Sequence, residues 1–415
     1  MVKVSRADTI RPATNSSVFG RSNDTGRSSD SIHRKERCEL AMSTNLRIPG
    51  PTPCPPEVLA AAAGEMINHR GPEFAELQER LTAGIQPFFG TDQEILLITA
   101  SGTGAMEAAI VNTLSVGDKA LCVTVGSFGD RFGTIAERYG AEVTRSDIEW
   151  GEAATPGLIA ELIQQDEYDA LLITHNETST GVTNPIGEIA AAVREVADPL
   201  IIAHAGPSLG SGEMRMDDWG LDAVVTASQK GWLSPPGLAM AALSERGWEA
   251  TKTSTMPSFY FDLTTHHDYA ERGQPPWTPA LPTMYAMDAA LPMLIEEGPE
   301  AIYARHHRFA SWTRSAAKAL GLELLADEQY ASDTVTAIKV PEGVTGSAVT
   351  KRLREDHDVV IAGGQGKLAA SIWRIGHLGY LDESEFAACF SALQQALVAE
   401  GFSAAEGAVI PGIDG

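Results

Sequence analysis

The sequence predicts an α/β fold, with a large domain on a mostly parallel sheet followed by a smaller C-terminal α+β domain. Between residues 95 and 245, short apolar runs alternate with longer amphipathic stretches, which is typical of strands connected by helices. After about residue 295 this alternation gives way to a long helical stretch, several extended runs and a final helix. A chain of 415 residues is long enough to bury more than one core.

The predicted strands of the large domain are short apolar runs, and amphipathic helices connect them. The strands are Ile95–Thr99, Ala120–Val125, Ala170–Thr174, Leu200–Ala203, Ala223–Thr226 and Leu238–Leu243. The helices are Gly104–Leu114, Asp130–Tyr139, Thr155–Gln165 and Ile186–Val196. In sheets of this kind ligands bind beyond the carboxyl ends of the strands, so we expect the functional residues there.

The smaller domain is predicted from a second set of elements. Its helices are Ala301–Leu320, Gly346–Glu355 and Glu383–Glu400, and its strands are Thr334–Val340, Val359–Ala362 and Ser371–Ile375. We therefore assign the large domain to residues 66–295 and the small domain to residues 296–403. Residues 42–65 are predicted to pack on the small domain, and residues 404–415 form a tail.

The first 41 residues differ in composition from the rest of the chain. They are rich in Ser, Arg, Asp and Asn, contain few large apolar residues, and carry more basic than acidic residues. Such a segment cannot bury a core, so we expect a disordered extension, or residues upstream of a start at Met42. It lacks the apolar core of a signal peptide.

Charge and cysteine content exclude several classes of function. The formal net charge of −24 disfavours binding to nucleic acid, and no apolar run is long enough for a membrane helix. The spacing of Cys38, Cys54, Cys122 and Cys389 matches neither a zinc site nor a disulfide framework. We expect a cytoplasmic protein without a metal site.

Two motifs follow predicted strands directly. Ser101-Gly-Thr-Gly lies between a strand and a helix, where free N–H groups can bind a phosphate, although a tight turn without a ligand would look the same. Lys230 follows the strand Ala223–Thr226 and precedes a Pro-Pro-Gly turn. Partial burial there would lower the pKa of the lysine and free its amine for imine formation.

Together with other motifs, these residues resemble the class V aminotransferases of the aspartate-aminotransferase superfamily, and within them the alanine/serine–glyoxylate aminotransferase group. The similarity extends from Pro49-Gly-Pro-Thr-Pro to Arg374-Ile-Gly-His-Leu-Gly. It implies a pyridoxal 5′-phosphate (PLP) enzyme that moves an amino group from a small amino acid, such as alanine or serine, to a small 2-oxo acid, such as glyoxylate or pyruvate. It also implies a homodimer with shared active sites.

The resemblance also implies a role for each matched residue. Lys230 would be catalytic, binding the cofactor as a Schiff base and moving the substrate proton. Arg374 would bind the substrate carboxylate, and Gly50 would line the substrate pocket. The remaining residues would bind the cofactor: Ser101, Gly102, Thr103 and Gln229 at the phosphate, Phe128 stacked on the ring, Thr178 at the ring hydroxyl, and Thr278 at the phosphate in the neighbouring subunit.

One position departs from the family pattern. His204, in Ala203-His-Ala-Gly-Pro-Ser, lies where the family has an aspartate that pairs with the pyridine nitrogen. An imidazole can bind this nitrogen, but it supplies no negative charge to raise the nitrogen's pKa. One interpretation is a tolerated replacement in an aminotransferase. The other is a different PLP reaction (lyase, decarboxylase or racemase), or a weakly active or non-catalytic PLP-binding homologue.

Overall fold

The computed structural model describes residues 44–411. The predicted extension at residues 1–41 and the last residues of the predicted tail, 412–415, lie outside the described residues. The predicted domain boundaries stay a prediction. Among the described helices, none combines the length and the apolar character needed to cross a membrane.

A seven-stranded sheet forms the centre of the fold. In order across the sheet, its strands are β2 (Leu96–Ile98), β10 (Ala239–Leu243), β9 (Ala223–Ala227), β8 (Leu200–His204), β5 (Ala170–Thr174), β3 (Lys119–Thr124) and β4 (Glu142–Asp147). All neighbouring strands are parallel except β10, which is antiparallel to both β2 and β9. The predicted mostly parallel sheet is confirmed.

Helices cover both faces of this sheet, which is why its inner strands are apolar throughout. Alternate residues of β5 point to opposite faces: Leu171 and Ile173 belong to one buried cluster, and Leu172 to the other. The first cluster includes residues of α2 (Pro72–Phe89), α5 (Pro156–Ile163), α6 (Ile186–Arg194) and α9 (Leu281–Glu297). The second includes residues of α3 (Gly102–Thr113), α4 (Ser127–Tyr139) and α8 (Leu263–Ala270). Two short helices, α1 (Pro56–Ala61) and α7 (Glu245–Thr251), complete this part.

A second sheet contains the C-terminal strands and has four strands in all. β1 (Asn45–Arg47) is parallel to β12 (Val359–Gly363), whereas β13 (Ile372–Gly376) is antiparallel to both β12 and β11 (Val335–Lys339). A third buried cluster joins this sheet to α10 (Pro299–Ala319), α11 (Gly346–His357) and α12 (Glu383–Ala399). A short hairpin of β6 (Asn176–Glu177) and β7 (Val182–Thr183) follows β5.

Candidate active site

The start of α3 forms an anion cradle. Ser101 is the N-cap, with extended backbone, and its side chain makes no capping hydrogen bond. The first main-chain bond of the helix runs from the Ala105 N–H to the Ser101 carbonyl, and within residues 44–411 the N–H groups of Gly102, Thr103 and Gly104 meet no acceptor. The free N–H groups and the positive end of the helix dipole both lie at this end of α3, so it suits a phosphate.

Lys230 lies just beyond the carboxyl end of β9, at the same edge of the sheet. Its Nζ donates a hydrogen bond to the Pro49 carbonyl at 2.5 Å. Burial, with a smaller contribution from the positive charge of Arg374, lowers the pKa of Lys230 to about 8. Gly50 makes room for this amine: its φ is +117°, and a Cβ there would lie 2.6 Å from Nζ.

Two parallel rings lie beside the anion cradle. Phe128 is in the first turn of α4, and His204 ends β8; their ring centroids are 5.7 Å apart and their planes differ by 11°. Arg131 packs over Phe128, with its guanidinium carbon 4.6 Å from the ring centroid. The same guanidinium donates to Thr103 Oγ1 at 3.0 Å. Arg131, which no local sequence pattern indicates, therefore joins the stacking ring to the cradle.

Glu177 is a second site residue that no local sequence pattern indicates. Its buried carboxylate accepts hydrogen bonds from the main-chain N–H groups of Phe128, Gly129 and Ser179, and from the Ser179 hydroxyl, at 2.6–3.1 Å. Loss of water raises the pKa of Glu177, and the hydrogen bonds oppose that shift. The carboxylate holds the first turn of α4, and so sets the position of Phe128.

We expect Glu177→Ala to lower the free energy of unfolding by about 3 kcal/mol, because it leaves buried N–H groups without an acceptor. Chemical denaturation measures this loss. The matched control is Glu188→Ala, on the exposed side of α6, which should cost no more than about 0.5 kcal/mol. Equal denaturation midpoints for the two variants would contradict this role of Glu177.

Arg374, on β13, is held with part of its guanidinium free. It is 6% exposed; its Nε donates to the Gly363 carbonyl at 2.8 Å, and its Nη1 donates to the Thr178 carbonyl at 3.2 Å. Burial lowers its pKa, and the nearby Glu177 carboxylate opposes that shift. Nη2 makes no hydrogen bond within residues 44–411, so it can bind a carboxylate.

Of the remaining predicted residues, Thr178 and Gln229 lie in the site, whereas Thr278 lies on the surface. Thr178 is buried beside Glu177, and the Gln229 side-chain oxygen is buried without a hydrogen-bond partner among the described residues. Thr278 lies exposed in the loop between α8 and α9, and no described contact joins it to Lys230 or Ser101. The chain therefore brings together the predicted residues of the cradle, the rings, the lysine and the arginine, but not Thr278.

The chain is similar to known proteins over most of its length. A family model described as aminotransferase class V matches residues 46–375. The L-aspartate–glyoxylate aminotransferase of Paracoccus denitrificans is 38% identical, over 81% of this chain and 87% of that protein. A Synechococcus protein named the small subunit of a soluble hydrogenase is 41% identical, over 86% and 94%. The crystal structure of an alanine–glyoxylate aminotransferase from Nostoc has a TM-score of 0.82 at 30% identity, covering 86% of this chain and 95% of that one.

Proposed function

The chain belongs to the class V aminotransferases, and on that premise we propose that it uses PLP to move an amino group from a small amino acid to a small 2-oxo acid. The proposed donors are alanine and serine, and the proposed acceptors are glyoxylate and pyruvate. The observation that carries the proposal is the Lys230 amine, which has a lowered pKa and lies at the same sheet edge as the anion cradle.

The residues fit PLP. Gly102, Thr103 and Gly104 offer free N–H groups to its phosphate at the positive end of the α3 dipole. The proposed contacts are Ser101, Gly102, Thr103 and Gln229 at the phosphate, with Phe128, Thr178 and His204 around the ring. When bound, PLP supplies the electron sink for a carbanion at the substrate α-carbon.

The chain's own residues supply binding and proton transfer. Lys230 accepts and returns the proton at the substrate α-carbon, a task for which a pKa of about 8 suits neutral pH. Arg374 binds the substrate carboxylate through Nη2, while its bonds to Gly363 and Thr178 fix its orientation. Since amino acid and 2-oxo acid both carry this carboxylate, one arginine can serve both halves of the reaction.

The lowered pKa of Lys230 predicts a pH dependence of cofactor attachment. A pKa of about 8 leaves about a quarter of the amine unprotonated at pH 7.5, against about a thousandth for an ordinary lysine. The rate at which PLP attaches to the cofactor-free protein should therefore rise with pH and level off above about 8. Stopped-flow absorbance measures this rate, with Nα-acetyl-lysine as the control. For Nα-acetyl-lysine the rate should keep rising toward pH 10.5. If the attachment rate of the protein does the same, the lowered pKa of Lys230 is contradicted.

Transamination is favoured over a lyase, decarboxylase or racemase reaction, because the similar proteins from Paracoccus denitrificans and Nostoc are named aminotransferases. Product analysis tests this directly. We expect the keto acid of the donor to form in amounts equal to the glyoxylate or pyruvate consumed. Without an acceptor, no more than one equivalent of this keto acid per enzyme active site should form. Sustained product formation without an acceptor would indicate another PLP reaction.

A homodimer in the cytoplasm is the proposed assembly and location. Phe259 is 75% exposed and stacks on Trp277 at 4.9 Å, and Tyr260 also stacks on Trp277. An exposed aromatic cluster of this kind is typical of an interface, and it adjoins Thr278. We expect Phe259→Asp to shift the protein from dimer to monomer in analytical ultracentrifugation, and an unchanged dimer would contradict this interface.

The state of the cysteines supports the proposed cytoplasmic location. Cys54, Cys122 and Cys389 are free thiols, which suits a reducing compartment.

A further inference from the structure

We infer that His204 donates a hydrogen bond from Nε2 to the ring nitrogen of bound PLP and keeps that nitrogen unprotonated, and that Gly206 provides the space for this imidazole. The inference rests on the proposed function, since it requires PLP in the site. It concerns the chemical state of the cofactor, which the proposed reaction alone does not specify.

The position of the two rings decides how a flat ligand meets His204. The imidazole is 3% exposed, and its centroid is 5.7 Å from that of Phe128, in a nearly parallel plane. A ring sandwiched between them would need two contact distances of about 3.5 Å, or about 7 Å in all. The gap is too small, so a ring stacked on Phe128 must lie beside the imidazole and meet its edge.

The edge that it meets carries an unused nitrogen. Neither imidazole nitrogen makes a hydrogen bond within residues 44–411, and Nδ1 is fully buried. Nε2 lies on the side of the anion cradle, 3.8 Å from where a Cβ on Gly102 would be. A neutral imidazole can donate from this nitrogen to an acceptor in the ring plane.

Nearby positive charges favour the neutral forms of the His204 imidazole and of the cofactor's ring nitrogen. Burial, followed by the positive charges of Lys230 and Arg131, lowers the pKa of His204 to about 3. The same cations disfavour a proton on a ring nitrogen beside the imidazole, and His204 brings no carboxylate to offset them. The nitrogen is therefore expected to stay unprotonated and to accept the hydrogen bond.

Gly206 leaves the space that the His204 imidazole occupies. A Cβ on residue 206 would lie 2.8 Å from His204 Nε2 and 3.0 Å from Cε1, closer than a Cβ tolerates. Any side chain there must displace the imidazole, which is buried against Phe128. A shorter carboxylate at position 204 would not extend as far over Gly206. The effect of a side chain at position 206 should therefore depend on whether position 204 is histidine or aspartate.

The first test measures the protonation of the ring directly. The probe is 4′-deoxypyridoxine 5′-phosphate labelled with ¹⁵N in the ring; it has no aldehyde, so it cannot bond to Lys230. Bound to the wild-type protein at pH 7.5, its ¹⁵N chemical shift should match that of the free, fully deprotonated probe in alkali. In His204→Asp it should match that of the free probe in acid. A protonated ring in the wild-type protein would overturn the inference.

The second test measures the coupling with the same probe by calorimetry. Gly206→Ala should weaken binding about tenfold in the wild-type background, the loss expected for one hydrogen bond, and by less than about twofold in the His204→Asp background. Equal losses in both would overturn the pairing. If the wild-type protein binds neither the probe nor PLP, the proposed function fails together with this inference. If both bind but the ring is protonated, only the role of His204 fails.

Discussion

Lys230→Ala is expected to lower kcat by at least about 10⁴-fold, because the variant loses the amine that moves the substrate proton. The loss should appear in single-turnover kinetics with alanine or serine. Lys230→Arg is the matched control: it keeps a long cationic side chain that cannot deprotonate, and it should be equally inactive. Activity in either variant within about tenfold of wild type would contradict the role of Lys230.

This loss should not arise from unfolding. The Lys230 side chain makes one hydrogen bond, to the Pro49 carbonyl, and its burial disfavours its charge. Removing it therefore relieves an unfavourable desolvation, so we expect Lys230→Ala to be at least as stable as wild type in thermal denaturation when both proteins are free of cofactor.

Arg374→Lys is expected to lower kcat/KM about 10²-fold for both the amino donor and the 2-oxo acceptor, mainly through KM. An ammonium cannot keep the bonds to Gly363 and Thr178 and also bind a carboxylate in a fixed orientation. Steady-state kinetics with each substrate varied in turn measure the effect.

Two observations separate this substrate role from a structural one. The Lys230-dependent absorbance of bound PLP should be retained in Arg374→Lys, and the exposed control Arg308→Lys, on α10, should leave both KM values unchanged. If KM rises for only one of the two substrates, Arg374 does not serve both halves of the reaction.

The inner strands of the central sheet were predictable because they are buried on both faces and are therefore apolar throughout. β5 and β9 show this pattern, with every residue buried. The sequence does not predict β4, because this strand lies at the sheet edge and reads Glu-Val-Thr-Arg-Ser-Asp, with one buried residue. Its strand conformation comes from pairing with β3, which is a property of the fold and not of the local sequence.

The candidate site divides in a similar way. Ser101–Thr103 and Lys230 could be identified because each follows an apolar strand. Gly50 and Arg374 entered through the family resemblance, since no local pattern links either to Lys230. No local pattern indicates Glu177 or Arg131, because their partners are distant in sequence: the N–H groups of Phe128 and Gly129 for Glu177, and the Thr103 hydroxyl for Arg131. Thr278 stays a prediction that depends on a second subunit.

The most direct test of the central claim is the visible absorption spectrum of the purified protein with PLP, recorded before and after alanine or serine and then after glyoxylate. We predict a band that is absent in Lys230→Ala, is lost on addition of one of these donors, and returns on addition of glyoxylate. A wild-type protein without a lysine-dependent band, or with a band that none of these amino acids changes, would contradict the account.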